Sequence, residues 1–478
     1  MADITRKSID YYTFIGGEEF ASFIEQPDKR GPSKEHRKKT NFGWKPGMPF
    51  QTEFTNISNE DLNFLEHSGR FRWEALRNGT KLGGEFWEIS PVTGSMQVDK
   101  YPDSPTDMMR QVSRTNVGEN WAYSYGFYDS GAGFGELTNH DQSYVYITRD
   151  VSNWMGTITR DVASIGSAPF HNFILPGSHD AGTYNLEALK RIAYTDYFKL
   201  LLRTLFGKSA GSAINNYAFE LATNFAVTQK DDVKTQLDLG ARYFDFRPGS
   251  APTELLLSGL YHQHAVIPGV SYDAFLFDTI NWLQTHPREI AVVCVGFAGF
   301  LDMVGKPSYQ TLDATLKSIN GRNIVKVGDH RDFARSYNEL IASNTRLLVV
   351  YAPETGAPVA AKKYDSYSAK VYETTKSANI IGALNGMSKA GQNGYDYTVL
   401  QLQGTASSVG IAGTLFNASK SGSPLMSTKP AFDSVTYPWV LANARQKLGN
   451  AQLTVLLNDF VDSALTLHAM KAMAPDRY

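Results

Sequence analysis

The sequence predicts an α/β fold in which eight parallel strands form a barrel, with an additional mostly β module at the amino terminus. From residue 170 onward, short apolar runs recur with helical segments between them, the pattern of parallel strands covered by helices. Before residue 160, short alternating segments such as 86–89 and 143–147 stand between turn-prone stretches, which is typical of β structure. We therefore predict two domains, a β accessory module over residues 1–160 and a barrel over residues 161–478.

Eight apolar runs in the second domain are the candidate strands. They are 173–175, 241–247, 254–264, 290–297, 324–327, 346–351, 397–402 and 453–460. Parallel barrels carry their chemistry at the carboxyl ends of their strands. Polar residues at these strand ends are therefore the candidate functional residues.

Composition excludes several classes of protein. The chain has 478 residues and a formal net charge of −2, so no overall field attracts nucleic acid or an anionic membrane. The single cysteine, Cys294, excludes an intramolecular disulfide. The first residues lack the apolar core of a signal peptide, and no segment reaches the roughly 18 apolar residues of a membrane span. We expect a cytoplasmic protein, or one exported without a classical signal peptide, with no transmembrane segment.

Histidines, acids and one arginine gather at four predicted strand ends. They are His179 and Asp180 in the stretch FILPGSHDAGTY, Asp245 and Arg247, His262 and His264, and Asp459. Two imidazoles and a guanidinium suit phosphodiester cleavage, because one histidine removes a proton, the other supplies one, and the arginine offsets charge on the phosphoryl oxygens. The alternatives are a helix cap for the His-Asp pair, a structural ion pair for Asp-x-Arg, and a metal-ligand pair for His-x-His.

From about residue 154 to the end, the sequence resembles the X domain of the phosphatidylinositol-specific phospholipase C family in its bacterial-type form. The matching pieces, in order, are 175–183, 228–229, 236–247, 260–264, 275–289, 399–401 and 458–460. This resemblance implies a distorted, partly open (β/α)8 barrel of the TIM type. It also implies a phospholipid substrate, phosphatidylinositol by default.

The resemblance implies a role for each candidate residue. His179 would be the general base, His264 the general acid and Arg247 the phosphate ligand. Asp180 and Asp245 would support Arg247 and the second histidine, and Asp459 would orient His179. We assign His262 and Gln401 to substrate binding and keep His262 as the alternative general acid, since the family usually has His-Gly where this chain has His264-Ala265.

The resemblance also predicts that the chain uses no metal or other cofactor. In the calcium-dependent branch a second acid stands where this chain has Arg247, whose guanidinium supplies positive charge itself. Calcium is the less favoured alternative, with His179, Asp180, Asp245 and Asp459 as ligands. Bacterial relatives carry basic residues at the end of the fourth strand, where this chain has Gly296 or Phe297, and near the end of the strand 346–351, where it has Ala352-Pro353. Another headgroup is therefore an alternative to inositol.

A long insertion separates the first two barrel strands. Residues 188–206 mix Lys and Arg with large apolar side chains, which predicts amphipathic helices. They would dock transiently on a membrane surface or pack their apolar side on the barrel. The alternative to an enzyme is a catalytically inactive barrel that acts as a binding or toxin-like protein, and the sequence leaves the oligomeric state open.

Overall fold

The computed structural model places a β sandwich against a parallel sheet that is covered by helices. The described residues are 7–31, 36–58, 60–62, 69–89, 96–97, 115–128, 140–193, 195–206, 219, 222–251, 257–404 and 424–478. All structural statements below refer to these residues.

The amino-terminal module is a sandwich of two five-stranded sheets. Its strands are β1 (Ser8–Ile15), β2 (Phe20–Pro27), β3 (Arg37–Gly43), β4 (Phe50–Phe54), β5 (Arg70–Arg77), β6 (Thr80–Ile89), β7 (Met96–Gln97), β8 (Asn116–Gly118), β9 (Trp121–Tyr128) and β10 (His140–Thr148). The sheet orders are β4-β1-β10-β9-β8 and β3-β2-β5-β6-β7. Alternate residues such as Ile9, Tyr11 and Trp73 fill the core between the sheets, because side chains point to opposite faces along a strand. The predicted β module is confirmed.

The second part of the chain builds an eight-stranded parallel sheet. Its strands are β11 (Ile174–Ser178), β12 (Tyr243–Phe246), β16 (Ala291–Val295), β17 (Lys326–Gly328), β18 (Thr345–Tyr351), β19 (Lys363–Asp365), β20 (Tyr397–Gln401) and β21 (Leu453–Asn458). The order is β17-β18-β16-β12-β11-β21-β20-β19, and every pairing is parallel. In the described part of the chain β17 and β19 do not pair with each other. The predicted distorted, partly open (β/α)8 barrel is confirmed.

One predicted barrel strand was wrong. The run 254–264 contributes Tyr261–His264 (β14) to a small antiparallel sheet with β13 (Pro248–Gly249) and β15 (Ile267–Ser271), and its residues 254–256 lie outside the described residues. The eighth barrel strand is instead β19, whose sequence Lys-Tyr-Asp has no apolar run. An edge strand is covered by a neighbour on one side only, so it needs less apolar sequence than a central strand.

Helices cover the parallel sheet. They are Trp154–Asp161, Ala163–Ser167, Glu187–Ile192, Asp196–Phe206, Val233–Asp238, Tyr272–Thr285, Tyr309–Ile319, Tyr337–Ala342, Ala369–Tyr372, Ser377–Gly386, Pro424–Trp439, Arg445–Leu448 and Ser463–Met473. Shorter 3₁₀ turns span Phe170–Asn172, His330–Ala334, Pro353–Thr355 and Ala390–Gln392, and a π turn spans Val440–Ala444. The helix Tyr272–Thr285 illustrates how such a helix begins and packs. Ser271 caps its amino terminus by accepting from Ala274 N–H, and Phe275 and Leu276 are buried against the sheet. None of the helices described here has the length and apolar character to cross a bilayer.

The module and the barrel share a hydrophobic core. Tyr144 and Tyr146 of β10 pack with Leu400 of β20 and Leu456 of β21. The helix Trp154–Asp161, which spans the predicted boundary at residue 160, contributes Trp154, Met155 and Ile158 to the core of the barrel. The boundary between residues 160 and 161 therefore stays a prediction, because the packing is continuous across it.

The insertion between β11 and β12 forms the two predicted helices Glu187–Ile192 and Asp196–Phe206. Their buried side chains Leu189, Ile192, Phe198 and Leu202 pack with Val266 and Ile267 of the β14–β15 hairpin. Lys190 and Arg191 are exposed, and Leu200 is 55% exposed. The apolar side of the insertion thus supports the barrel, while a basic edge with one large apolar side chain faces outward.

A buried ion pair ties the start of the barrel together. Arg242 and Glu289 are both fully buried, with Arg242 Nη2 2.7 Å from Glu289 Oε2. Arg242 also donates to the carbonyls of Leu237 and Ala241. Glu289 Oε1 accepts from the backbone N–H of Gly156 in the first helix. Each charge is therefore hydrogen-bonded on several sides, as a buried ion requires.

We expect Glu289→Ala to destabilise the protein by about 3–5 kcal/mol, because it leaves the Arg242 guanidinium buried without a counter-charge. Urea denaturation of wild type and variant measures this change in the free energy of unfolding. Asp313→Ala is the control, since it breaks a pair with Lys317 whose side chain is 75% exposed, and we expect a change under about 0.5 kcal/mol. Equal effects for the two variants would contradict the prediction.

Candidate active site

Side chains from the carboxyl ends of the barrel strands meet in one cavity of about 510 Å³. This volume is within the range of small-molecule sites. The predicted residues that line it are His179, Asp180, Arg247, His264, Gln401 and Asp459. The other two predicted residues lie directly behind this surface, where Asp245 pairs with Arg247 and His262 approaches Asp180. The structure thus brings all eight predicted residues together.

His179 follows β11 and is held by β21, the neighbouring strand. Its backbone N–H donates to the carbonyl of Asn458 at 3.1 Å, and its ring Nδ1 lies 2.8 Å from Asp459 Oδ1. This contact turns Nε2 toward Asp180 Oδ2, at 3.3 Å. Burial alone would lower the pKa of His179, but the carboxylates of Asp180 and Asp459 outweigh it and raise the pKa to about 9.

The Thr228-Gln229 pair braces the loop that carries His179. Thr228 Oγ1 and Gln229 Nε2 both donate to the carbonyl of His179, each at 3.0 Å. Gln229 Nε2 also donates to the carbonyl of Asn458 at 3.1 Å. Both residues are buried, so they fix the backbone on each side of the His179–Asp459 contact. The sequence motif indicated these two residues without giving them a role.

Arg247 lies between two buried carboxylates. Its Nη1 is 3.0 Å from Asp180 Oδ1 and its Nη2 is 2.6 Å from Asp245 Oδ2. Burial opposes ionisation of Asp180, yet Arg247 and His179 hold the pKa of that carboxyl well below its usual range. Arg247 Nη2 is also 3.3 Å from His179 Nε2, so one guanidinium contacts both acids and the first histidine.

The Asp180 backbone explains how one carboxylate reaches so many partners. Asp180 has φ of +43°, a left-handed conformation that aspartate tolerates better than most residues. Neither of its carboxylate oxygens makes a well-aligned hydrogen bond with another described residue. Both oxygens are buried and lie 3.0–3.7 Å from nitrogens of Arg247 and of the three histidines, so Asp180 acts on these groups mainly through its charge.

The two histidines of β14 differ in exposure. His262 is fully buried, and its Nδ1 accepts from the backbone N–H of Arg247 at 3.2 Å. Its remaining proton thus points from Nε2 toward Asp180 Oδ1, 3.3 Å away. His264 lines the cavity with a side chain that is 30% exposed. Burial and the nearby cations lower the pKa of His264 to about 4, although Asp180 opposes this shift.

Apart from Gln401, the sequence did not indicate the opposite wall of the cavity. Lys363 and Asp365 of β19 form an ion pair of 2.8 Å, and Gln401 Nε2 donates to both carboxylate oxygens of Asp365 at 3.0 Å. Tyr367 is 50% exposed and lines the cavity together with these residues. Only a search for Lys, Asp and Tyr at alternate positions of a short polar strand could have found this wall.

Three of the site residues could also hold a divalent ion. His179, Asp180 and Asp245 each offer one ligand atom, and these atoms lie within 4.8 Å of one another. Oxygen and imidazole ligands of this kind suit several divalent ions. Arg247, however, already contacts both carboxylates, so an ion would have to share them with the guanidinium.

Fold and site together define a parallel α/β barrel with a two-histidine, one-arginine centre at the carboxyl ends of its strands. Comparison with known proteins finds several sequence relatives. The chain is 31% identical over 151 residues to the PI-PLC X domain-containing protein 1 of Mus musculus, covering 31% of this chain and 41% of that protein. It is 26% identical over 204 residues to the human protein of the same name, covering 42% and 57%. No family model matches the chain.

Among solved structures, the chain is similar to the phosphatidylinositol-specific phospholipase C from Listeria monocytogenes, with a TM-score of 0.41 and 14% identity over 68% of this chain and 98% of that one. A variant of the enzyme of the same name from Staphylococcus aureus gives a TM-score of 0.42 and 14% identity, over 67% and 96%. The resemblance to the PI-PLC X-domain family is confirmed. The chain spans less than two thirds of the length of the curated relatives it matches.

We expect Ala265→Gly to stabilise the protein by about 0.5–1 kcal/mol, because a left-handed backbone costs alanine more than glycine. Ala265 turns the β14–β15 hairpin beside His264 with φ of +58°. Thermal or urea denaturation measures the gain. As a control, Ala314→Gly in the exposed part of the helix Tyr309–Ile319 should destabilise by about 1 kcal/mol. A loss of stability at both positions would show that Ala265 is not strained.

Proposed function

We propose that this protein is a phosphodiesterase that cleaves a glycerophospholipid, with phosphatidylinositol as the default substrate. The observation that carries the proposal is the position of Arg247 between Asp180 and Asp245, with two imidazoles at the same cavity. A guanidinium held in this way binds a phosphate diester through charge and paired N–H groups. The family relationship supports the same reaction class.

The proposed reaction needs one proton removed and one supplied. A histidine takes the proton of the headgroup hydroxyl beside the phosphate, and the resulting oxygen attacks phosphorus. The bond from phosphorus to the diacylglycerol oxygen breaks, and that oxygen takes a proton from the other histidine. The products are a cyclic phosphodiester and diacylglycerol. Arg247 offsets the charge that builds on the phosphoryl oxygens, in a site largely shielded from water.

The chain's own residues supply the positive charge in this proposal, so we propose a reaction that needs no metal ion. Arg247 already pairs with the two carboxylates that a divalent ion would otherwise use. Calcium held by His179, Asp180, Asp245 and Asp459 is the alternative that the chelator test below addresses.

The opposite wall of the cavity suits a headgroup with several hydroxyls. Asp365 offers acceptor oxygens, Gln401 and Gln403 offer amide groups, and Lys363 adds a cation. The half-exposed ring of Tyr367 provides an apolar face at the mouth. This combination of polar groups and one aromatic surface is typical of sites for polyhydroxylated ligands.

A phospholipid substrate also requires approach to a bilayer. The helices of the insertion present Lys190, Arg191 and Leu200 outward, next to the hairpin that carries His264. We propose that this edge makes transient contact with the lipid surface, through cationic attraction and one inserted apolar side chain.

The pKa values bear on which histidine has which role. With a pKa of about 9, His179 is protonated at neutral pH, and with a pKa of about 4, His264 is neutral. If His179 is the base and His264 the acid, as the resemblance implies, the reactive form has a neutral His179 and a protonated His264. That form is a minor species. The exchanged assignment, with His264 as base and His179 as acid, matches the dominant form.

The first test incubates purified protein with a panel of phospholipid vesicles in chelator and follows the products by phosphorus NMR. We expect a cyclic phosphate from at least one lipid, and a loss of roughly 10²- to 10⁴-fold in His179→Ala. No turnover of any lipid would favour an inactive binding barrel over an enzyme. Turnover that appears only after calcium is added would reject the metal-independent mechanism.

The second test is the pH dependence of kcat/KM. We expect a bell-shaped profile that rises with pH through about 4 and falls through about 9, with a plateau between, since kcat/KM reports the free enzyme's two histidines. Both role assignments give this same shape. A profile with a single limb would contradict a mechanism with two histidines.

A substrate with an activated leaving group separates the two assignments. A phosphodiester with an aryl leaving group needs no general acid, so loss of the acid then costs much less than the roughly 10²- to 10⁴-fold expected with the lipid. If His264→Ala is rescued on the aryl substrate and His179→Ala is not, then His264 is the acid. The reverse result assigns the acid role to His179.

A further inference from the structure

A buried charge cluster lies between the β module and the barrel. Lys429 Nζ is 2.7 Å from Asp433 Oδ2 and 2.7 Å from Asp462 Oδ2, and all three side chains are at most 1% exposed. Tyr144 and Tyr146 of β10 and Tyr437 place their rings 5.5, 5.8 and 6.0 Å from Lys429 Nζ. The module thus supplies two of the three rings around a lysine that belongs to the barrel.

A chain of hydrogen bonds runs from this cluster to His179. Tyr146 donates its hydroxyl to Asp433 Oδ2 at 3.1 Å, and Asn458 Nδ2 donates to Asp433 Oδ1 at 2.8 Å. Asn458 Oδ1 in turn accepts from the backbone N–H of Asp459 at 3.0 Å. Asp459 Oδ1 then meets His179 Nδ1. Four contacts therefore connect a module strand with the first histidine.

Asn458 is the residue through which the connection passes. It is 2% exposed, and its amide group also donates to the Tyr437 hydroxyl at 2.9 Å. Its side chain is thus held by two partners on the cluster side and holds Asp459 on the other. A fully satisfied buried network of this kind has one geometry, because any rotation would leave a polar group without a partner.

We propose that the β module is a positioning element for proton transfer, in which Tyr146 and Asn458 fix Asp459 against His179. The module would then be part of the catalytic unit and not an independent recognition domain. The proposal rests on the proposed function where it concerns turnover. Tyr146 and Asn458 are positioning residues, since neither lines the cavity.

The test compares Tyr146→Phe with Tyr144→Phe in the full-length protein. Both variants keep the ring near Lys429, but only the Tyr146 hydroxyl donates to Asp433, while that of Tyr144 has no hydrogen-bond partner among the described residues. We expect Tyr146→Phe to lower kcat roughly threefold to tenfold with KM unchanged, as for the loss of one hydrogen bond of ordinary strength. Tyr144→Phe should match wild type. Equal kcat values for the two variants would overturn the proposal.

A second measurement does not depend on activity. Histidine NMR titration without substrate, with the His179 signal identified by its loss in His179→Gln, gives the pKa of His179. In Tyr146→Phe and Asn458→Ser we expect this pKa to fall from about 9 toward its ordinary value, because a looser Asp459 stabilises the imidazolium less. An unchanged pKa in folded Asn458→Ser would reject the positioning role. If no lipid is cleaved while the pKa falls, the proposed function fails and the positioning role stands.

Discussion

The site depends on one interaction, the enclosure of the Arg247 guanidinium by Asp180 and Asp245. A cation with two carboxylates at 3.0 and 2.6 Å cannot move without leaving a buried charge unpaired, which costs several kcal/mol. Asp180 lies 3.3 Å from His179 and His262 and 3.7 Å from His264, with a left-handed backbone at φ of +43°. The remaining architecture brings these three residues to the carboxyl ends of adjacent strands and keeps them there.

The protonation states follow from the same enclosure. Burial lowers the pKa of both histidines. At His179 the carboxylates of Asp180 and Asp459 outweigh burial, whereas at His264 burial and the charges of Arg247 and the other histidines outweigh Asp180. The two side chains thus differ in pKa because His179 contacts two carboxylates, at 2.8 and 3.3 Å, and His264 lies 3.7 Å from one. A separation of this kind between two titratable groups is how one site holds an acid and a base at the same pH.

Much of the barrel and the central part of the site could be predicted from the sequence, because apolar strands with polar ends leave a clear pattern. The first histidine, Asp245, Arg247 and Asp459 all follow apolar runs. The hairpin strand Tyr261–His264 was assigned to the barrel because it ends the apolar run 254–264, although its partners are antiparallel. Strand β19 was missed because its three residues carry no apolar signal. Contacts between side chains far apart in sequence, such as Tyr146 with Asp433, leave no local pattern at all.

The strand order separates two kinds of residue. His179, Arg247 and Asp459 stand at the ends of β11, β12 and β21, which have neighbours on both sides, whereas Lys363 and Asp365 lie on β19 at the open edge of the sheet. Substitutions at an edge strand disturb few neighbours, since half of its backbone groups are not part of the sheet. Under the proposed function, changes in β19 would alter the headgroup preference while His179, Arg247 and Asp459 stayed the same. The open edge of the barrel thus allows this wall of the cavity to change without disturbing the central strands.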